Sequence, residues 1–505
     1  MAIEPEKSVA ASTVLEVPAL LAPSQSSGAI HGVDQGTPLS SNPHPARNWP
    51  VTKRWTTTVL LSAIAFLQPL AETALAPIQG QISHDLHIEF EYQWIAVNSL
   101  ILIGLGLSSL VLAPLSEVYG RKPVLIGASA SFAIWNTACG TVKTLDQLLA
   151  LRLLSGFGAS VGDAVAGGVM SDLWNAEIRG RAYATYMVAP TLGTAVGPIL
   201  GAYVAGRTNW RWAFWVTSIA AAVSIVATFL FYPETFGPKL NRSRDIRVGD
   251  SVPDAELQAP RDAPSGMETL KKTGLITNLQ RPFRMLGTQI IVQLLAVYMA
   301  LLYGIMWLFL FMYPRMWTEQ YGQSSEIASL NYLSFGFGLV AGVHVAGHVS
   351  DKTYKIFKAR NHGVGRPEYR VPPLLIGTIL APAGMLWWGW SGQAKLHWAV
   401  PNAGSFVFAL GTYVCSSCVS VYTIDAYTTY AASAISTNLV LRSVSAALFP
   451  LFAPYLFDRF GFGLAATVLA SAFFFVGSII TTLLWFYGQD FRARSRYHAA
   501  EDDQD

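Results

Sequence analysis

Residues 100–135 read LILIGLGLSSLVLAPLSEVYGRKPVLIGASASFAIW. Two apolar stretches flank a short turn that carries Glu117, Arg121 and Lys122. About 20 consecutive apolar residues are enough for a helix to cross the hydrocarbon core of a bilayer. The segment therefore predicts two membrane-spanning helices joined by a charged turn.

The same pattern continues along the chain of 505 residues. Charged residues make up 13% of it and hydrophobic residues 52%, whereas soluble domains carry about 25% charged residues. A chain of this composition needs a membrane to cover its apolar surface. We expect an all-α membrane protein with twelve spans, at about 56–79, 94–116, 123–141, 147–172, 182–206, 212–232, 286–313, 326–349, 372–390, 399–429, 432–456 and 463–488.

The predicted spans fall into two sets of six on either side of a long polar segment. Lys and Arg accumulate in the segments on one side, and the positive-inside rule places that side and both termini in the cytoplasm. The expected domains are a disordered cytoplasmic tail (1–50), an N-terminal six-helix bundle (51–232), a cytoplasmic linker loop (233–284), a C-terminal six-helix bundle (285–488) and a cytoplasmic tail (489–505).

Several function classes are disfavoured by composition and motif content. A net charge of +3 is too small to indicate nucleic acid as a partner. The sequence contains no P-loop, no G-x-S-x-G and no HExxH, so we expect no enzyme, no cofactor and no metal, with energy taken from an ion gradient. Packing is the favoured interpretation of the Cys415 and Cys418 pair and of His344 and His348, four residues apart.

The turn between the second and third spans is Leu112-Ala113-Pro114-Leu115-Ser116-Glu117-Val118-Tyr119-Gly120-Arg121-Lys122. Gly120 allows a sharp turn, and Arg121 is placed to bond Glu117 or neighbouring helix carbonyls. An ordinary basic turn is the alternative. A weaker counterpart follows the eighth span, at 347–351, with Arg366 further on, as an internal duplication predicts.

The fifth span carries Gly193, Gly197, Pro198 and Gly201. Glycines at four-residue spacing let helix backbones approach closely, and proline removes a backbone donor and permits a bend. The sequence therefore predicts a close contact between this span and a neighbouring helix.

Charged residues inside the spans are candidates for function because a charge in the bilayer normally faces a cavity or a partner. Arg152 and Asp163 share one face of the fourth span, about 16 Å apart. Glu72, in the first span, lies at a depth similar to that of Arg152, which predicts an ion pair. The alternatives are an Arg152 held by carbonyls and a Glu72 that reaches the interface.

The second half contains two further charges, Arg442 in mid-span and Asp425 near a span end. For Asp425 we expect a role in folding or gating rather than in substrate contact. Aromatic residues of the seventh and eighth spans are candidates to line an apolar substrate cavity. They are Tyr298, Tyr303, Trp307, Tyr332 and Phe335.

These motifs resemble those of the major facilitator superfamily. The turn at 112–122 resembles its loop signature, the glycine-proline run of the fifth span resembles the antiporter signature of the twelve-span drug:proton branch, and Arg152 matches the arginine of its fourth-helix motif. The segments 232–236 and 366–370 are similar to those of the fungal multidrug and polyamine subgroup. The chain departs from these patterns at Ala113, Ser155 and Ala202.

The resemblance implies two six-helix bundles that rock around one substrate site near the bilayer midplane. It implies that Glu117 and Arg121 form a latch between the bundles and that Arg152 takes part in proton coupling. From their charge and position in the spans, we expect Glu72 and Asp163 to take part in coupling together with Arg152. Gly120, Gly193, Gly197, Pro198, Gly201, Asp425 and Arg442 would then be gating or structural positions.

We therefore expect a proton-coupled efflux transporter of small amphipathic molecules, such as a toxin, a fungicide or an endogenous secondary metabolite. The expected partners are the small-molecule substrate and the lipid bilayer, with the protein acting as a monomer. The expected location is the plasma membrane, with the vacuolar membrane as an alternative. A polyamine exporter, and a proton-driven uptake carrier for an organic solute, remain as alternative functions.

Overall fold

The computed structural model describes residues 45–174, 176–237, 239–240, 283–427 and 431–493. Every regular element within these residues is a helix. The helices are α1 (Val51–Thr73), α2 (Gln79–Asp85), α3 (Glu91–Tyr119), α4 (Arg121–Cys139), α5 (Leu145–Ala159), α6 (Val161–Leu173), α7 (Ala176–Arg207), α8 (Arg211–Phe231), α9 (Ile290–Arg315), α10 (Ser325–Leu330), α11 (Tyr332–Arg360), α12 (Val371–Gln393), α13 (Ala399–Ala426), α14 (Ala431–Leu448) and α15 (Ala453–Ala493).

All twelve predicted spans fall on these helices. Ten helical segments of the described residues are long and apolar enough to cross a membrane. One of them, Ala434–Ala493, contains the last two predicted spans, which are separated by a kink at Gly461 with φ of +70°. The third predicted span corresponds to α4, whose 19 residues begin with Arg121 and Lys122.

The ends of several spans differ from the prediction. The first span was expected at 56–79, whereas α1 ends at Thr73 and is followed by a 3-10 turn, Ala76–Ile78, and by α2. Pro77 opens that turn, because a proline lacks the N–H that would continue the preceding helix. Most of the expected linker and both expected tails lie outside the described residues, so the domain boundaries stay a prediction.

The helices form two bundles, one on each side of the linker. In the first half α1 packs on α7, α3 on α5, and α4 on both α5 and α8; in the second half α12 packs on α13 and α15, α11 on α13, and α9 on α14. The two halves meet where α3 crosses α14 and where α7 crosses α11. The helix pairs at these two crossings are therefore the contacts that must adjust if the halves move relative to each other.

Each half has its own apolar core. Phe309, Trp388 and Phe408 are buried together in the second half, and Val165 and Leu173 belong to a core of the first half. Large apolar side chains also cover the outside of the bundles, among them Phe229, Phe475 and Phe486. Because such a surface is not compatible with water, it fits the lipid environment that the composition predicts.

The two ends of the structure are named here by residues that lie there. The Arg121 face contains Arg121, Glu234, Glu368 and Arg370, and the Trp210 face contains Trp210, whose indole N–H donates to Asp85 at 2.8 Å. Near the Trp210 face the halves touch again, because α10 contacts both α7 and the 3-10 turn Ala76–Ile78. These contacts join the two halves at this end of the structure.

Candidate substrate cleft between the two bundles

A narrow cleft with an internal volume of about 30 Å³ lies between the halves. Residues of α1, of the 3-10 turn and of α3 form one wall, and residues of the second half form the other. They are Glu72, Thr73, Ala76, Asn98, Ser99 and Leu102 on one side and Trp307, Leu310, Phe311, Tyr332, Ala446 and Pro450 on the other. Any relative movement of the halves therefore changes the shape of the cleft.

Glu72 is the acidic residue in the wall of this cleft. It lies in the last turn of α1 and only 5% of it is exposed. Its Oε1 atom is buried and has no hydrogen-bond partner within the described part of the chain. A buried carboxylate oxygen without a donor is costly, so this position is poised to bind a proton or a ligand.

Arg152 is fully buried beside the same turn, but it does not form the predicted ion pair with Glu72. Its Nε donates to the carbonyl of Val97 at 3.1 Å and its Nη1 to the carbonyl of Ala71 at 3.3 Å. Ala71 lies in the last turn of α1, where carbonyls lack an intrahelical partner and attract positive charge. The similar depth of Glu72 and Arg152 in their spans correctly indicated that they lie close together. However, Arg152 bonds backbone carbonyls, not the carboxylate of Glu72.

Asp163 and Arg442 form an ion pair that joins the two halves. Asp163 lies in the first turn of α6 and Arg442 lies in α14, and their Oδ2 and Nη2 atoms are 3.5 Å apart. Tyr186 donates its hydroxyl to Asp163 Oδ1 at 3.3 Å. Arg442 Nη1 donates to the Tyr303 hydroxyl at 3.3 Å, and its guanidinium carbon lies 4.6 Å from the centre of the Tyr303 ring.

This pair was not predicted. The sequence does contain the signal, namely two opposite mid-span charges in different halves, at Asp163 and Arg442. Their 279-residue separation is bridged only by the packing of the two bundles.

The aromatic candidates divide into two groups. Trp307 and Tyr332 line the cleft, and Tyr303 belongs to the Asp163–Arg442 cluster. The expectation is corrected for Tyr298 and Phe335, which lie in the core of the second half. Tyr298 shares a 2.8 Å hydrogen bond with Thr378, and Phe335 stacks on Phe309 at 5.6 Å. Helix α9 is buried on several faces, so the aromatic pattern alone does not show which face meets the cleft.

Arg121 at the start of α4 is bonded on three sides. Its Nη1 donates to Ser116 Oγ at 2.5 Å, its Nε lies 3.4 Å from Asp172 Oδ2, and its backbone N–H donates to Glu234 Oε1 at 2.9 Å. Gly120 has φ of +92°, a conformation that favours glycine. The side chain of Glu117 lies outside the described residues, so the predicted contact between Glu117 and Arg121 stays a prediction.

The second half repeats this arrangement around Arg370. The guanidinium of Arg370 donates to Ser350 Oγ at 3.0 Å, to Asp351 at 2.9 Å and to Asp425 at 3.1 Å. The predicted arginine of this counterpart was Arg366, which instead donates to Gln489 at 2.9 Å. The arginine that corresponds to Arg121 is Arg370, because α12 begins only at Val371, after α11 has ended at Arg360 and a 3-10 turn, Pro367–Arg370, has followed it.

The predicted close contact of the fifth-span glycines is present, and its partner is α1. A Cβ atom added at Gly193 would lie 2.7 Å from the carbonyl oxygen of Phe66, and one at Gly197 would lie 2.8 Å from that of Leu70. A Cβ at Gly201 would overlap the carbonyl oxygen of Ala74. Pro198 lies inside α7, as expected. The glycines thus fix α7 against the segment that carries Glu72.

Nothing in the described residues indicates a metal or redox site. They contain no group of three or more His, Cys, Asp or Glu side chains that could hold an ion. His344 and His348 bond carbonyls of their own helix through Nδ1, at 2.9 and 2.8 Å. Cys415 and Cys418 are buried and unpaired thiols.

Two helical bundles around an ionisable cleft define a multi-pass membrane transporter. The chain belongs to the Major Facilitator Superfamily, whose sequence profile matches residues 61–450. It is 37% identical over 456 residues to the efflux pump vrtL of Penicillium aethiopicum, covering 90% of each chain. It is 32% identical over 458 residues to the efflux pump radE of Floropilus chiversii, covering 90% of this chain and 84% of that one.

Solved structures show the same fold. The proton:xylose symporter XylE, bound to 6-bromo-6-deoxy-D-glucose, superposes with a TM-score of 0.62 at 15% identity, covering 86% of this chain and 96% of that one. The human organic anion transporter MFSD10 superposes with a TM-score of 0.56 at 18% identity, covering 86% and 100%. At such identities the likeness concerns the fold alone.

Proposed function

We propose that this protein is an efflux transporter that exports a small amphipathic molecule in exchange for protons. The observation that carries the proposal is the cleft between the halves, whose wall contains the buried, unpartnered carboxylate oxygen of Glu72. Similarity to proteins named efflux pumps supports the direction of transport. We expect the cargo to be a toxin, a fungicide or a secondary metabolite made by the cell itself.

The proposed orientation places the Arg121 face in the cytoplasm. The Lys and Arg imbalance supports it, because positively charged loops are retained on that side. The membrane is proposed to be the plasma membrane, with both termini cytoplasmic. In that orientation the contacts of α10 with α7 join the two halves near the outer side.

The proposed cycle alternates access by rocking the two halves around the cleft. A proton from outside binds Glu72, and its release toward the cytoplasm accompanies binding of the cargo. Arg152 holds the Glu72 turn through the Ala71 carbonyl, 3.3 Å away, and so positions the carboxylate. Asp163 is the second proposed proton station, three helical turns from Arg152 along the fourth span.

Alternating access requires that the cargo and the proton bind the two conformations of the protein with different affinities. A ligand shifts the equilibrium between conformations only if it binds one of them better. Because the Glu72 turn packs against Gly197 and Gly201, a change at Glu72 reaches α7, which itself crosses α11 of the other half. The cluster around Arg121, with Asp172 and Glu234, is proposed to stabilise one of the two states.

Purified protein in proteoliposomes tests this function. An imposed pH gradient, acidic on the side of the Trp210 face, is expected to drive a fluorescent amphipathic cargo toward that side against its concentration gradient. Collapse of the pH gradient with a protonophore should abolish the accumulation. Transport in the same direction as the protons would establish the uptake carrier instead.

A further inference from the structure

We infer that Arg442, by pairing with Asp163 between the two halves, determines which substrate charge the protein accepts and favours uncharged amphipathic molecules over cations. The inference rests on the proposed function and deepens it by naming the chemical class of the cargo. It disfavours a polyamine as substrate.

The geometry that carries the inference is the neutralisation of Asp163 by a residue of the opposite half. Asp163 and Arg442 are 3.5 Å apart, and each side chain is 21% exposed. A carboxylate left alone in a cleft attracts cations, because their lost hydration is replaced by an opposite charge. Here Arg442 occupies that position, and a cationic cargo would have to displace it.

Acidic and basic side chains near the Asp163–Arg442 pair are equal in number. The acidic and basic side chains that act on one another here are Glu72 of α1, Arg152 of α5, Asp163 of α6 and Arg442 of α14. They comprise two acids and two bases, with no carboxylate in excess. A molecule that carries several ammonium groups would find no uncompensated negative charge, so the cost of its desolvation would not be recovered.

The remaining polar groups suit an uncharged molecule. Two tyrosine hydroxyls contact the pair, that of Tyr186 on α7 at Asp163 and that of Tyr303 on α9 at Arg442. A hydroxyl both donates and accepts hydrogen bonds, so it can pair with the carbonyl and hydroxyl groups of a neutral compound. The aromatic rings beside them offer apolar contact to its ring system.

Two fluorescent probes of similar aromatic character test the inference by direct binding to purified protein. Ethidium is a cation and Nile red is uncharged. The wild-type protein is expected to bind Nile red and to discriminate against ethidium. Arg442→Gln unmasks Asp163 and should raise the affinity for ethidium at least about tenfold, which corresponds to about 1.4 kcal/mol, with little change for Nile red.

Three further variants isolate the effect of charge. Arg442→Lys keeps a positive charge and should keep the wild-type selectivity. Asp163→Asn combined with Arg442→Gln removes both charges and should lose the gain for ethidium. Arg207→Gln makes the same chemical change at an exposed position of the Trp210 face and should bind both probes as the wild type does.

The outcomes separate this inference from the proposed function. Ethidium binding by the wild type as tight as that of Nile red would overturn the inference, and so would an unchanged preference in folded Arg442→Gln protein. Loss of both probes from that folded variant would also overturn it, since Arg442 would then be needed for binding as such. Failure of the proteoliposome assay with normal binding selectivity would instead contradict the proposed efflux function alone.

Discussion

Arg121 and Arg370 occupy equivalent positions in the two halves of the protein. Arg121 begins α4, and Arg370 directly precedes α12, the third span of the second half. Each bonds a serine of the preceding span, Ser116 or Ser350, and pairs with an aspartate at the end of the next span, Asp172 or Asp425. The matching pattern of a serine, an arginine and an aspartate places one charge cluster under each bundle on the Arg121 face. Both clusters are therefore expected to act on the movement of the bundles and not on cargo recognition.

Replacing Arg121 with alanine is expected to slow transport about tenfold with little change in apparent substrate affinity, because the cluster stabilises one conformation without touching the cargo. Arg370→Ala should behave in the same way. Initial transport rates over a range of cargo concentrations provide the measurement. Lys122→Ala serves as the control, because Lys122 is next to Arg121 but half-buried, with its ammonium donating to the carbonyl of Phe229 and not to the Arg121 cluster. A change in which compounds are exported, with the rate preserved, would contradict this role.

Gly197→Leu is expected to abolish transport while the protein still reaches its membrane. A side chain at Gly197 would collide with the Leu70 carbonyl and force α7 away from α1, and overpacking of this kind costs about 1–3 kcal/mol or more. Gly127→Leu is the matched control, because a side chain there meets open space in α4. Efflux from cells that express each variant at equal surface level makes the comparison. Normal efflux by Gly197→Leu would show that the close contact is dispensable.

Glu72→Gln is expected to uncouple transport from the pH gradient, since glutamine keeps the shape of glutamate and cannot exchange a proton at neutral pH. Accumulation against a gradient should fall by about tenfold or more, while downhill movement of the cargo is retained. Glu89→Gln makes the same change at an exposed loop position and should leave coupling intact. The proteoliposome assay at several external pH values measures both. Uphill transport by Glu72→Gln with the wild-type pH dependence would remove Glu72 from the mechanism.

The orientation can be tested by cysteine labelling of intact cells. The native cysteines are buried, so background reaction is expected to be low. Ser265→Cys lies in the segment 233–284 and should be protected from an impermeant maleimide, whereas Thr208→Cys, exposed near the Trp210 face, should be labelled. Asn241, in the same segment, belongs to the glycosylation sequon Asn241-Arg242-Ser243. Labelling at Ser265→Cys in intact cells, or a glycan on Asn241, would reverse the proposed topology.

The order of the membrane spans was predictable because the length of an apolar stretch can be read from the local sequence. Each span needs only its own residues to be recognised, and even the kink at Gly461 does not change the assignment of the last two. Helix ends were less predictable, since α1 ends at Thr73 for reasons that include Pro77 in the turn after it.

The contacts of charged residues were less predictable because they depend on how helices rotate and cross. The depth of Glu72 and Arg152 was readable from the chain, yet the carbonyl of Ala71 receives the guanidinium. The same limit applies to Asp172 as the partner of Arg121 and to Arg442 as the partner of Asp163. These pairs form where helices that are distant in the sequence pack together. A single sequence does not show which residues of two such helices face each other.

The cleft has one wall from each half, with Glu72 and Asn98 opposite Trp307 and Phe311. A molecule lodged there touches both halves at once, so its bulk decides whether they can close around it. A molecule that binds both walls and prevents closure acts as a wedge and not as cargo. Small additions to a transported compound can therefore turn it into a blocker of its own exit.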